Sequence, residues 1–134
     1  MSEKLIRIGT IYTPVIEVNK AAEWYVEKLD AHLSYIDEDK AIVNLADISF
    51  FLVKSSDQEH NYFYDVHNNV RFPITFEVNG YRALSELHEQ LIEKGVSVGE
   101  IEDRGHAGNN FIFHDLDGNV FDVWSELSPT HKNK

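Results

Sequence analysis

Apolar and polar residues alternate in short runs along this chain, and the runs surround two segments with helical periodicity. Residues 8–18 form an extended apolar stretch, which leads into a segment whose apolar side chains recur at helical spacing, at Ala22, Tyr25 and Leu29. Three short runs with strand-like composition follow, at residues 33–37, 41–45 and 48–53. The first half of the chain is therefore predicted to have the order βαβββ.

The second half repeats this order. An extended stretch at residues 70–78 precedes a predicted helix with Leu84, Leu87 and Leu91 on one face, and Gly95 provides a left-handed stop. Strand-like runs follow at residues 96–101, 110–113 and 120–126. The pattern thus predicts a second βαβββ module.

Matching tetrapeptides mark the starts of the two helices. Residues 16–19 read Ile-Glu-Val-Asn, and residues 76–79 read Phe-Glu-Val-Asn. The side-chain oxygen of an asparagine can accept the unpaired amide hydrogens of a first helical turn, so Asn19 and Asn79 are the predicted N-caps.

The length indicates how these modules are organised. A chain of 134 residues suits one domain of ordinary size and is too short for two independent ones. No linker rich in proline, glycine or serine divides it. We therefore predict a single domain over residues 1–134, in which a crossover at residues 55–69 joins module 8–54 to module 70–127.

Charge and cysteine content exclude several classes of function. The chain has 12 Lys and Arg against 23 Asp and Glu, a net charge of -11, and it has no cysteine. A negative surface repels phosphate, so nucleic acid and anionic membrane are not expected partners. The missing thiol excludes disulfides, thiolate metal sites and a cysteine nucleophile. No apolar run approaches the ~18 residues of a membrane span, and the first residues do not read as a signal peptide, so a cytoplasmic location is expected.

The tandem order and two local runs resemble the vicinal oxygen chelate superfamily, which includes glyoxalase I, extradiol dioxygenases and bleomycin-resistance proteins. The first run is Val18-Asn19 leading to Trp24-Tyr25, and the second is residues 113–119, Phe-His-Asp-Leu-Asp-Gly-Asn. The resemblance covers roughly residues 8–127 and implies an α+β fold. Its tandem βαβββ modules would form curved mixed sheets around a concave cavity, paired either within the chain or across a dimer. A homodimer is expected in either case, because pairing covers exposed sheet edges.

The resemblance also implies positions for a divalent metal. The metal enzymes of the superfamily hold the ion with His or Glu side chains from four strands, and in this chain those positions fall at Thr13, Pro73, Phe51 and Asp122. Only Asp122 could bind such an ion, as a weak candidate, so we expect neither the family metal site nor another cofactor. A Zn, Ni, Mn or Fe site with rearranged ligands stays open as an alternative.

Strand alternation within the implied sheets predicts which side chains face the cavity. The predicted ligand-binding side chains on the strands are Thr13, Glu17, Phe51, Thr75, Glu77, Asp122 and Trp124. Arg104 and His106 join them from the glycine-containing loop 103–108, which is interpreted either as a lid over a polar ligand group or as a long hairpin connection.

Aromatic rings beside carboxylates suit a cationic or flat aromatic ligand. We therefore expect a small-molecule-binding protein, similar to the bleomycin-resistance proteins and lacking the family metal. The alternative is a divalent-metal-dependent lyase or dioxygenase of the same superfamily with rearranged ligands, and a module that only dimerises or binds another protein is a third possibility. Catalytic residues are not assigned, and whether the protein is an enzyme stays open.

Overall fold

Two units, which meet in sequence between residues 59 and 60, make up the computed structural model of the chain. The structure describes residues 4–129, so residues 1–3 and 130–134 of the predicted domain lie outside the described part. Among the described residues, no helix combines the length and apolar character that crossing a membrane would require.

The first unit has the predicted order βαβββ. Its elements are β1 (Thr10–Val15), α1 (Val18–Leu29), β2 (His32–Ile36), β3 (Lys40–Leu45) and β4 (Ile48–Lys54). The strands form one mixed sheet in the order β1-β4-β3-β2, in which β1 runs parallel to β4 and the other neighbours are antiparallel. The whole of β2, at the edge of this sheet, is exposed.

Helix α1 covers one face of this sheet. Tyr25 of the helix is fully buried with its ring centroid 6.4 Å from that of Phe50, and Leu52 and Val43 are buried with them. The helix begins after Glu17, whose carbonyl accepts from the Ala21 amide at 3.0 Å. The predicted N-cap Asn19 is therefore wrong, because the buried side chain of Val18 already belongs to the first helical turn.

The second unit contains a small hairpin, one helix and a mixed three-stranded sheet. Its elements are β5 (Phe63–Tyr64), β6 (Val70–Arg71), β7 (Thr75–Glu77), α2 (Tyr81–Glu93), β8 (Asn110–His114) and β9 (Val120–Trp124). The sheet order is β7-β9-β8, with β7 parallel to β9 and β8 antiparallel to it, while β5 pairs with β6.

Two predicted strands of this unit are shorter than expected. The stretch 70–78 is interrupted, because Pro73 has no amide hydrogen to donate to a ladder. The run 96–101 forms only one isolated bridge, Val98 with Phe113, and a second bridge, Glu102 with Asn110, follows it. The run lies along the outer edge of β8 and contains a glycine, and both features weaken regular strand pairing.

The start of α2 also differs from the expectation. Gly80, with φ of 100°, is the N-cap in place of Asn79, and its carbonyl accepts from the Leu84 amide at 3.1 Å. This backbone conformation is one that glycine adopts without strain, which is why the helix begins one residue later than the asparagine predicts.

Aromatic rings fill the face of the second sheet that α2 covers. The ring centroids of Phe113 and Phe121 are 5.4 Å apart, and Phe76 lies 5.8 Å from Phe121. His88 of α2 meets Phe111 edge-on at 4.8 Å and hydrogen-bonds to the Gly99 carbonyl at 2.8 Å. Because the apolar core lies on this face, the opposite face of the sheet is left for polar side chains.

A hydrogen-bonded turn ties the hairpin segment to β9. Asp115 Oδ1 accepts from the backbone amides of Asp117 at 2.8 Å and Asn119 at 2.9 Å. The Asn61 amide donates to Asn119 Oδ1 at 2.9 Å, and Asn61 Oδ1 accepts from the Val120 amide at 2.8 Å. The residues just before β5 are thereby held against the first residue of β9.

Candidate functional site

The register of β7 against β9 places four predicted site residues on one face of the second sheet. Thr75 pairs with Asp122 and Glu77 pairs with Trp124, so these side chains share the face opposite α2. Phe76, between them, points to the aromatic core. Strand alternation therefore predicted correctly which side chains of β7 lie on this face.

This face forms the floor of an open hollow of about 990 Å³, which we call the polar hollow. Six of the predicted site residues line it, namely Thr75, Glu77, Arg104, His106, Asp122 and Trp124. Four further residues complete the lining, namely Phe63, Arg71, Phe72 and Asn110.

Asp122 is the most enclosed charged group of the polar hollow, with 3% of its side chain exposed. Its Oδ2 accepts from Thr75 Oγ1 at 3.0 Å and from Asn110 Nδ2 at 2.9 Å. Its Oδ1 lies 3.1 Å from Arg104 Nη1, in a charge contact without the alignment of a hydrogen bond. The carboxylate is thus held by one cation and two neutral donors.

Arg104 connects the glycine-containing loop to the floor of the polar hollow. Besides its contact with Asp122, it donates from Nε and Nη2 to Glu102 Oε1, each at 3.1 Å. Its guanidinium carbon lies 5.7 Å from the centre of the Phe72 ring. Aromatic faces attract guanidinium groups, so the ring adds to the two carboxylates in holding this side chain.

Trp124 is fixed by the other end of the same loop. Its Nε1 donates to the Ala107 carbonyl at 2.9 Å, and the His106 ring meets it edge-on with centroids 6.0 Å apart. Gly108 makes this approach possible, because a Cβ at that position would lie 2.8 Å from Trp124 Nε1 and 2.7 Å from Ser125 Oγ. The residue has φ of 76°, which glycine adopts most readily.

The opposite wall is charged as well. Arg71 lies 3.7 Å from Asp65 across the β5–β6 hairpin. Glu77 is exposed, accepts from the Ser128 amide at 2.9 Å, and forms no ion pair within residues 4–129. Glu77 is consequently the acid of the polar hollow whose charge is not already countered by an arginine.

Asp65 has a lowered pKa and offers a test of the hairpin. The backbone amide of Asn69 donates to its Oδ1 at 3.0 Å, that of His67 at 2.9 Å, and Arg71 adds its charge, so the pKa lies below the ordinary value of 3.8. The resulting stabilisation is complete above the ordinary value and is lost as the pH falls through the lowered one. We expect carboxyl NMR titration to give a midpoint below 3.8 for Asp65. A midpoint at or above that value would contradict the hairpin geometry.

The remaining predicted site residues belong to the first unit. Phe51 lies on the sheet face opposite α1, with its ring 5.2 Å from that of Tyr12. Glu17 pairs with Lys20 at 2.9 Å. The predicted face of Thr13 is wrong, because its register with Leu52 places it on the helix-covered side, where 1% of it is exposed. Val15, two residues further along β1, is buried on the same side.

The donor set around Asp122 does not fit a divalent metal. Within the part of the chain that the structure describes, no three His, Cys, Asp or Glu side chains converge on one point. The free oxygen of Asp122 faces the guanidinium of Arg104, and the other donors that reach it are an amide and a hydroxyl. With Arg104 facing Asp122, no set of metal ligands converges in the polar hollow among the described residues, and the predicted loss of the family site stays a prediction.

Two of the lining residues missed from the sequence had a detectable signal. Asn110 stands two positions before Ile112 in a strand of aromatic residues, so alternation alone puts this polar side chain on the same face as Asp122. Phe72 immediately precedes the proline that ends the pairing of β6. Arg71 had no local signal, because its position depends on the hairpin that pairs it with Phe63.

The fold and the site together define the class of the protein. Its helices each cover one face of a mixed sheet, and the other face of the second sheet carries a polar, aromatic-walled hollow. The model of the Glyoxalase/Bleomycin resistance protein/Dioxygenase superfamily matches residues 7–123. The chain belongs to this superfamily.

Solved structures with the same fold have different activities in their names. The manganese- and sulfate-bound fosfomycin resistance protein FosX from Listeria monocytogenes has a TM-score of 0.69 at 19% identity, over 95% of this chain and 93% of that one. TnmS3, an antibiotic binding protein from a Streptomyces species, has a TM-score of 0.69 at 19% identity, over 92% and 98%. An integron cassette protein from the Halifax Harbour sewage outfall metagenome has 0.71 at 16%, over 91% and 100%. No curated protein sequence matches the chain. At these identities the likeness concerns the fold.

Proposed function

We propose that the polar hollow binds a flat, cationic small molecule and holds it without chemical change. The observation that carries this proposal is the pairing of Glu77 with Trp124 on neighbouring strands, while the charge of Asp122 is already countered by Arg104. A ligand entering the polar hollow would therefore meet one uncompensated carboxylate next to an aromatic ring.

Aromatic walls support a flat ligand. Phe63 and Phe72 line the polar hollow together with Trp124. Ring faces pack against other flat rings and attract cations, at about 0.5–2 kcal/mol for a cation on a tryptophan face. The hydrogen bond from Trp124 to the Ala107 carbonyl, for which Gly108 leaves room, keeps the indole in place, and this reduces the entropy lost on binding.

Charge supports a cationic ligand. The net charge of -11 attracts cations to the whole molecule, and Glu77 would provide the local counter-charge. Asp122 is unsuited to catalysis in this arrangement, because all its oxygens face donors of the protein itself. The polar hollow would thus hold its ligand as a sequestering protein does.

The relatives are compatible with such a role. The superfamily includes bleomycin resistance proteins, and TnmS3 is named an antibiotic binding protein. We extend from them only the general role of binding a small organic molecule. We also propose that the protein is a homodimer, because pairing would cover exposed sheet edges such as β2. Sedimentation velocity would test this.

Three acridines of matched shape test the proposal, namely N-methylacridinium, neutral acridine and acridine-9-carboxylate. We expect calorimetric binding in the order cation, neutral, anion. Trp124→Ala should weaken the cation about tenfold or more, since it removes the principal ring. Glu77→Gln should weaken the cation several-fold and leave the neutral compound unchanged, because only the cation uses the carboxylate.

Trp24→Phe is the matched control, since this indole lies on α1 of the first unit. It should leave all three affinities unchanged. An equal response of the three acridines to Glu77→Gln, or no binding of any of them, would contradict the proposal. Near-stoichiometric Zn, Ni, Mn or Fe in the purified protein would instead favour the metal-dependent lyase or dioxygenase.

A further inference from the structure

We propose that Arg104 is a built-in counter-cation, which fills a site between the carboxylates of Asp122 and Glu102 and so keeps metal ions and ligand cations out of it. This inference goes beyond the proposed function, because it concerns a second position in the polar hollow and does not depend on what binds at Trp124. It makes Arg104 the residue that determines the cation specificity of this position.

Two carboxylates converge on the single guanidinium. Arg104 Nη1 lies 3.1 Å from Asp122 Oδ1, and Nε and Nη2 each lie 3.1 Å from Glu102 Oε1. Asp122 is held independently of the arginine, because it accepts from Thr75 and Asn110. The backbone of Glu102 exchanges hydrogen bonds of 2.7 and 3.0 Å with that of Asn110, while its carboxylate bonds to Arg104. The Asp122 side of the site is therefore built into the sheet, and Glu102 has a fixed position at the sheet edge.

The amide that bonds to Asp122 also carries an uncharged oxygen without a partner within residues 4–129. Asn110 is 3% exposed, lines the polar hollow and donates through Nδ2 to Asp122, yet its Oδ1 has no hydrogen-bond partner among the described residues. Buried carbonyl oxygens are normally paired, so an unpaired one marks a position that can accept a further donor or cation. If Arg104 were removed, the carboxylates of Asp122 and Glu102 and this amide oxygen would be oxygen donors of the kind that hard divalent cations accept.

The chain supplies the cation by way of its loop. Arg104 precedes Gly105, with φ of 87°, in a loop that Gly108 ends with φ of 76°. These two glycines let the chain turn so that the guanidinium returns to the sheet. A metal ion could enter only by displacing this guanidinium, and the displaced charge would then repel it. Arg104 thus excludes cations both by occupying the site and by its charge.

Manganese binding tests the proposal, with electron paramagnetic resonance counting free and bound Mn(II). We expect the natural chain to show no saturable binding at this position, and Arg104→Ala to bind about one equivalent at least tenfold more tightly than the natural chain. Arg104→Ala combined with Asp122→Asn should lose this binding. Arg82→Ala removes the same charge from an exposed ion pair with Glu86 on α2, and it should resemble the natural chain.

Two further measurements, on Arg104→Lys and on thermal stability, test the proposal even if Arg104→Ala folds poorly. The lysine variant retains a cation and should exclude Mn(II) as the natural chain does. Arg104→Ala should melt at lower temperature, and either methylguanidinium or Mn(II) at millimolar concentration should restore most of the loss. Equal Mn(II) binding by the natural chain and Arg104→Ala, or an alanine variant that neither cation binds or stabilises, would overturn the proposal. Acridinium binding is not used, so failure of the proposed function would leave this result interpretable.

Discussion

Asp122→Ala is expected to lower the free energy of unfolding by about 3 kcal/mol, since it removes a carboxylate held by two hydrogen bonds and one ion pair at a position that is almost fully buried. Thr75 and Asn110 would each lose the partner of a side-chain donor, and Arg104 would retain only Glu102 and the Phe72 ring. Hydrogen bonds to charged groups are stronger than neutral ones, and donors left unpaired in a buried place are costly.

Urea denaturation followed by circular dichroism measures this loss. Glu86→Ala is the matched control, because it also removes one carboxylate from an arginine, but on the exposed surface of α2, and it should change stability by less than about 0.5 kcal/mol. Asp122→Ala combined with Arg104→Ala should cost less than the sum of the two single changes, because the residues interact directly. Additive losses, or a loss from Asp122→Ala as small as the control, would contradict the geometry of the site.

Phe121→Ala is expected to cost about 3–5 kcal/mol, as large aromatic truncations in packed cores do. The side chain is fully buried, with its ring 5.4 Å from Phe113 and 5.8 Å from Phe76. It lies one residue before Asp122 and points to the opposite face of β9, so its removal weakens the support beneath the polar hollow without touching the lining.

The same denaturation experiment checks this value, with Phe63→Ala as the control. Phe63 is 56% exposed, and its truncation should cost less than about 1 kcal/mol. The contrast separates burial from aromatic character, since both changes delete the same ring. Similar losses from the two variants would mean that the aromatic stack is not the core of the second unit.

Alternation predicted the faces of the second sheet correctly and those of the first strand incorrectly, for a physical reason. In the second unit, Phe76 lies inside β7, so counting from it stays within one pleated strand. In the first unit, residues 16–18 lie beyond the end of β1, where the chain already turns into the helix, so alternation cannot be carried back from them into the strand. The two-residue period does not survive that bend, and the assignment of Thr13 shifted by one position.

The side-chain contacts in the site between residues far apart in the chain could not be predicted from the sequence. The loop 103–108 could be identified from its glycines, and Asp122 from the family-like run that precedes it, but no local pattern joins Arg104 to Asp122. Their contact depends on how the loop leaves the edge of β8, where an expected strand is reduced to isolated bridges. Irregular connections of this kind carry few sequence rules.

The hydrogen bond between Trp124 and Ala107 lets ligand preference change without a change in the stability of the fold. The indole belongs to a strand, yet its tilt depends on a carbonyl in the loop. Substitutions in that loop would therefore retune which molecules lie flat against the ring while the strands keep their sequence and stability. Homologues could diverge in what they retain by altering a handful of loop residues, with the scaffold beneath unchanged.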